Sequence, residues 1–216
     1  ASGSQLASIP SSAFRNATLL TFITIPASVT SIGSSAFNNA TSLPSITIPA
    51  GVTSIGSQAF RNATALTSIV IPASVTSIGS SAFYEATMLN SVYFLGNAPT
   101  IGDSAFGSVA SGAKAFIRSD ATDFANVGVD WNGLVVEVGV YTVSYNTNGG
   151  STIAAQAYAR SIAAPAPPIR SGYTFAGWNT QPNCQGTFYF PGQTYAISEN
   201  LVLYPQWCEG FEGAQG

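Results

Sequence analysis

IPAGVTSIGSQAF, residues 48–60, decides the architecture of the first half of the chain, because near-copies flank it: IPASVTSIGSSAF at 25–37 and again at 71–83. Counting outward, an Ala-Phe block ends at Phe14, Phe37, Phe60, Phe83 and Phe106, always 23 residues apart. Self-similarity at one fixed period of this length predicts a solenoid, in which each unit buries its apolar side against the next.

Aligned at that period, the inward positions become columns of one residue type. Leu20, Leu43, Leu66 and Leu89 form one; Ile23, Ile46, Ile69 and Val92 another; Ile25, Ile48, Ile71 and Phe94 a third. After Pro26, Pro49 and Pro72 come Val29, Val52 and Val75, then Ile32, Ile55, Ile78 and Ile101. The stretch from Leu66 to Ile71 alternates with period two and is rich in β-branched residues, which predicts a short strand. Proline follows at once, as suits a strand end that need not donate to a ladder. The SSAFxxA segment predicts a helical turn carrying Phe into the stack.

Ile-Pro, Val-Thr, Ile-Gly and Ala-Phe in this register resemble the BspA-type (Treponema-type) leucine-rich repeat over about residues 5–107. One departure is that the family's Cys after Ala-Phe is Ala17, Ala40, Ala63 and Ala86 here, small residues for the same buried slot. Residues 108–138 break the period and are similar to the family's terminal cap, closed by an aromatic turn around Trp131. The opening residues match the unit only from Ile9 onward, and the chain reads as a piece of a longer protein.

A different pattern begins near Gly139. Tyr141 to Tyr145 alternates as a strand, and Thr147-Asn148-Gly149-Gly150 reads as a turn. Gly149-Gly150, Gly172-Tyr173, Phe175, Gly177-Trp178, Leu203-Tyr204 and Trp207 resemble the Listeria–Bacteroides repeat of bacterial surface proteins, over about residues 140–207. Pro205 stands where that motif usually has Ala. Together the resemblances imply a leucine-rich-repeat solenoid (short parallel strands with helical turns) plus a small, mainly-β, β-grasp-like domain. The expected layout is a capped solenoid over 1–138, the module over 139–208 and a tail over 209–216. Cys184 and Cys208 are the only cysteines. Two in one small module fit a single disulfide, and two free thiols are the other reading.

Composition removes whole classes of function. Only 7% of residues are charged and the net charge is −3, which leaves no basic footprint for nucleic acid. There is no His and a single lysine, Lys114, so no nucleophile can be activated by the usual triad logic. Glu85 and Glu137 sit in repeat and cap positions rather than as a glycosidase pair. Asp120, Asp123 and Asp130 match no calcium-loop spacing and read as solvated cap residues. No zinc or phosphate-loop motif is present. The expectation is a non-enzymatic chain with no cofactor and no metal, and no stretch approaches the 18 apolar residues of a membrane span.

Three surface arrays remain as candidates. On the strand, residues pointing away from the core form two columns: Phe22, Ser45, Ser68 and Ser91, beside Thr24, Thr47, Val70 and Tyr93. Such a face is where repeat proteins commonly bind, with Phe22, Val70 and Tyr93 as apolar anchors. A second array, Thr30, Thr53 and Thr76, is an alternative hydroxyl row for carbohydrate or ice. The third is the sequon series beginning at Asn16, Asn39 and Asn62, read chiefly as turn residues stacked at the repeat spacing. The family resemblance implies an extracellular, cell-surface adhesin whose strand face meets matrix, host or partner-cell proteins. A structural stalk without a ligand is the competing expectation.

Overall fold

The computed structural model describes residues 6–147, 149–159, 161–183 and 185–209, with the side chains of 156–159, 161, 208 and 209 outside that description. Two compact units divide the chain, Ala1–Val140 and Tyr141–Gly216.

Two parallel ladders run along the solenoid. The first joins two-residue strands at Ser8–Ile9, Ser31–Ile32, Ser54–Ile55, Ser77–Ile78 and Thr100–Ile101, with Ser opposite Ser and Ile opposite Ile until Thr100 replaces Ser in the last. The second joins Ser68–Ile71, Ser91–Phe94, Lys114–Ile117 and Leu134–Val138, with Asp130–Trp131 antiparallel at its edge. The same alternation occurs at Phe22–Ile25 and Ser45–Ile48, yet neither segment is a strand. Pro44 supplies part of the reason. At its place in later coils, Asn90 N–H donates to Thr67 O at 3.1 Å, and proline has no such proton to give the coil before it.

The Ala-Phe segment, expected on a helical turn, is a run of tight turns. Its amides alternate: Ala36 N–H bonds Gly33 O within the coil, while Phe37 N–H reaches Ala59 O of the next coil at 2.7 Å. Asn38 N–H then returns to Ser35 O, and Asn39 N–H goes forward to Arg61 O. Left-handed residues produce this flipping, Ser35 at φ 56° and Asn39 at φ 61°, with equivalents in every coil. A helix would turn all its amides along its own axis; this turn gives half of them to its neighbour. On the Ser-Ile ladder the bonds run the other way, Gly56 N–H to Ile32 O at 2.8 Å.

Between ladder and turn lies the core. Phe14, Phe37, Phe60, Phe83 and Phe106 stack with ring centroids 5.1–5.2 Å apart and planes within 7° of parallel. Ala40, Ala63 and Ala86 are fully buried in the slot anticipated for them. Glycine after each ladder Ile is required by close approach: a Cβ on Gly56 would lie 2.5 Å from Ser34 N. The expectation that 108–138 leave the period needs correction. Lys114–Ile117 keeps register with Ser91–Phe94, and the period is lost only after it, where Val135 rather than residue 137 lies opposite Lys114. Trp131 packs on Phe94 (5.4 Å) and Phe124 (4.6 Å).

The C-terminal unit is a mixed sheet of five strands in the order Gln156–Ala159, Val140–Tyr145, Leu201–Glu209, Tyr173–Asn179, Phe188–Tyr189. Its first and last strands pair in parallel, and Tyr173–Asn179 runs antiparallel beside the last. Ser161–Ala163 pairs separately with Thr194–Ala196. Trp178 is fully buried and its indole N–H donates to Pro165 O at 3.2 Å. Buried Asn179 is satisfied on both sides, giving Nδ2–H to Gly186 O and accepting from Gln181 and Gly186 N–H. Pro205 sits within the last strand opposite Trp178, beyond the residues that pair with Val143–Tyr145. The pairing of Cys184 with Cys208 lies outside the described residues.

Candidate binding face

Alternation along the longer sheet sets which side chains face out. Ile69, Ile71, Val92 and Phe94 are buried, so Ser68, Val70, Ser91 and Tyr93 point the other way. Register then aligns them: Ser68 beside Ser91, Val70 beside Tyr93. Both columns continue one strand further than the sequence suggested, into Lys114 and Phe116. Each lies 23 residues beyond its predecessor. That spacing was the available signal, and reading 108–138 as an aperiodic cap concealed it.

The face is apolar and nearly neutral. Phe22 is 76% exposed and Val70 40%. Tyr93 is half-buried, its ring stacked on Phe116 at 4.8 Å. Lys114 Nζ meets Glu137 Oε1 at 2.6 Å, so the one cation in these columns is paired. Ser68 and Ser91 are half-buried, and Thr24, Ser45 and Thr47 are exposed on the coils before the ladder starts. The eight anticipated residues thus divide into four joined by strand pairing and four on segments that are not strands.

The hydroxyl row is a different surface. Thr30, Thr53 and Thr76 are exposed, but each Oγ1–H donates to a carbonyl of the preceding coil: Ala7 O at 3.1 Å, Thr30 O at 3.2 Å, Thr53 O at 3.3 Å. Their protons serve the stack, and Pro99 occupies the next place in the row. The sequon asparagines do likewise. Asn39 Nδ2–H donates to Asn16 Oδ1 at 2.8 Å and Asn62 Nδ2–H to Asn39 Oδ1 at 2.7 Å.

The acidic residues are dispersed among separate partners. Glu85 pairs with Arg61 at 3.5 Å and Glu137 with Lys114. The hydrogen bond from Arg118 holds the Asp120 carboxyl below its ordinary range. Asp130 accepts from Gly133 N–H, and Asp123 from the Thr122 hydroxyl. Among the described residues no three His, Cys, Asp or Glu side chains converge where a metal could sit. No helix of the described residues is long and apolar enough to cross a membrane.

A stack of like units presenting one sheet face defines a repeat protein. Residues 7–127 match the model of the BspA type leucine rich repeat region in six copies, more than half of the chain, and the protein belongs to that family. Residues 141–206 match the Listeria-Bacteroides repeat domain. Two proteins of Evansella cellulosilytica, a putative membrane protein and a putative Gly-rich membrane protein, are similar over 73 residues at 37% and 36% identity. That stretch is 33% of this chain but only 11% and 8% of those relatives.

Proposed function

We propose that the outward strand face recognises proteins of the extracellular matrix, a host or a partner cell, from a secreted or cell-surface position. In this reading the solenoid over 1–138 binds and the module over 139–208 acts as a spacer. The observation that carries it is the exposed apolar pair Phe22 and Val70, continued by half-buried Tyr93, on a face whose one cation, Lys114, is paired. Aromatic anchors of this kind dominate protein interfaces, each contributing about 2 kcal/mol or more when fully desolvated. Copies on one surface would add avidity to weak single contacts.

The test is binding of the chain to immobilised matrix proteins, with and without Phe22→Ser, Val70→Ser and Tyr93→Ser together. Saturable binding that falls at least tenfold in the triple variant supports the strand face. Binding that is absent, or indifferent to these changes, favours the stalk. The threonine row is tested by Thr53→Tyr, which leaves protein binding intact if the strand face carries it.

A further inference from the structure

At the capped end of the solenoid one column changes character. Val29, Val52 and Val75 are buried, but the next residue in register is Ala98, and Pro99 follows where Thr76 stood. The loop after Ile117 is tied to this coil. Ala98 N–H donates to Thr122 O at 3.0 Å, and Thr122 N–H to Asn97 Oδ1 at 3.2 Å, which pins the loop. The result is an open cleft of about 420 Å³, with Ala98, Pro99 and Thr100 from the coil and Asp123, Trp131 and Asn132 from the cap. It falls within the size range of small-molecule sites.

We propose that this cleft binds a neutral pyranose, free or as a unit of a glycan. The lining supplies what such a ring needs. Trp131 is half-buried, held by Phe94 and Phe124, and offers a rigid aromatic surface for a sugar's C–H face. Asp123 accepts the Thr122 hydroxyl on Oδ2 at 2.9 Å, leaving Oδ1 to accept from a sugar hydroxyl. The Asn132 carboxamide makes no hydrogen bond among the described residues and can both donate and accept. Asp123 (φ 68°) and Asn132 (φ 55°) both hold left-handed backbones.

Charge narrows the ligand further. No Lys or Arg lines the cleft, so phosphorylated, sulfated and uronic sugars find no counter-charge there. One carboxylate is too few for a calcium-dependent sugar site. This site is separate from the strand face and does not depend on it.

Saturation-transfer NMR of the full chain with methyl glycosides of glucose, galactose, mannose and N-acetylglucosamine tests the assignment. At least one should bind saturably with a dissociation constant on the order of 1 mM. Ala98→Val restores the repeat's own residue, should fold as well as the parent, and should weaken binding severalfold by narrowing the cleft at Ala98. Asn132→Gly keeps the left-handed backbone and removes only the carboxamide, and it should weaken binding severalfold. Trp131→Ala should abolish binding, but it also opens the cap, so the other two variants decide. No saturation by any glycoside overturns the proposal, as does binding that Ala98→Val and Asn132→Gly leave unchanged.

Discussion

The turn side of the solenoid and its outward strand face obey the same 23-residue period but differ in how much they vary. On the turn side the Phe rings superimpose within 7°, the asparagines share amide protons, and each coil hands alternate N–H groups to the next. On the strand face the outward columns read Phe, Ser, Ser, Ser, Lys and Thr, Thr, Val, Tyr, Phe. Constancy follows where every coil must fit its neighbour, because a misfit there is repeated along the stack. Variation is tolerated where side chains point away from the core and need not match an identical residue in the next coil.

The contrast breaks most visibly in the ring stack. Phe60→Ala removes a fully buried ring between two others and should cost about 3–5 kcal/mol, read as a large drop in the denaturation midpoint. By comparison, Ser68→Ala on the strand face should change stability by less than about 0.5 kcal/mol. Gly56→Ala comes next. Its methyl would lie 2.5 Å from Ser34 N and 2.7 Å from Gly33 C, backbone atoms that cannot yield without parting two coils. Overpacking of that kind costs about 1–3 kcal/mol or more. A midpoint unchanged by Gly56→Ala would mean that the coils are not packed as tightly as described.

Much of this was legible because the period does the work of a contact map. Once 23 is read from Ala-Phe, every inward column follows, as does the small residue after it. What the spacing could not supply is backbone sign. Ser35 and Gln58 carry no chemical mark of a left-handed φ, so a turn of alternating bonds was read as a helical one. Nor could it foresee that the repeat's hydroxyl and amide rows spend their protons between coils. The face itself was half legible: the alternation named its residues and the period also pointed on to Lys114 and Phe116, while the missing ladder at Phe22–Ile25 carried no signal in the spacing. The cleft at Ala98 was visible only as one small residue in a valine column.

The asparagine ladder separates two contributions that the period merges. Asn39→Gly keeps an easy left-handed backbone (φ 61°) but removes the bonds to Asn16 and Asn62, and should cost about 0.5–1.5 kcal/mol. Asn39→Ala removes the same bonds and adds a methyl-bearing residue where φ is positive, so it should cost roughly 1 kcal/mol more. Equal denaturation midpoints for the two variants would show that backbone strain plays no part, and that side-chain bonding alone selects asparagine in this column.

The smallest effect belongs to the C-terminal module, which lacks columns and relies on single buried groups. Burial, then the negative charge of Glu199 and the neighbouring Tyr195, raises the Tyr189 phenol above its ordinary value of 10.0. The folded state therefore holds this proton more tightly than the unfolded chain does. Its contribution is complete below the ordinary value and is lost as pH rises through the higher folded-state value. Thermal unfolding of the module should accordingly become more sensitive to alkali above pH 10 than Tyr189→Phe, which has no proton to lose. Glu199→Gln should fall between them, since it removes the second cause and leaves the burial. Identical alkaline profiles for parent and Tyr189→Phe would show that the ring is not enclosed in solution.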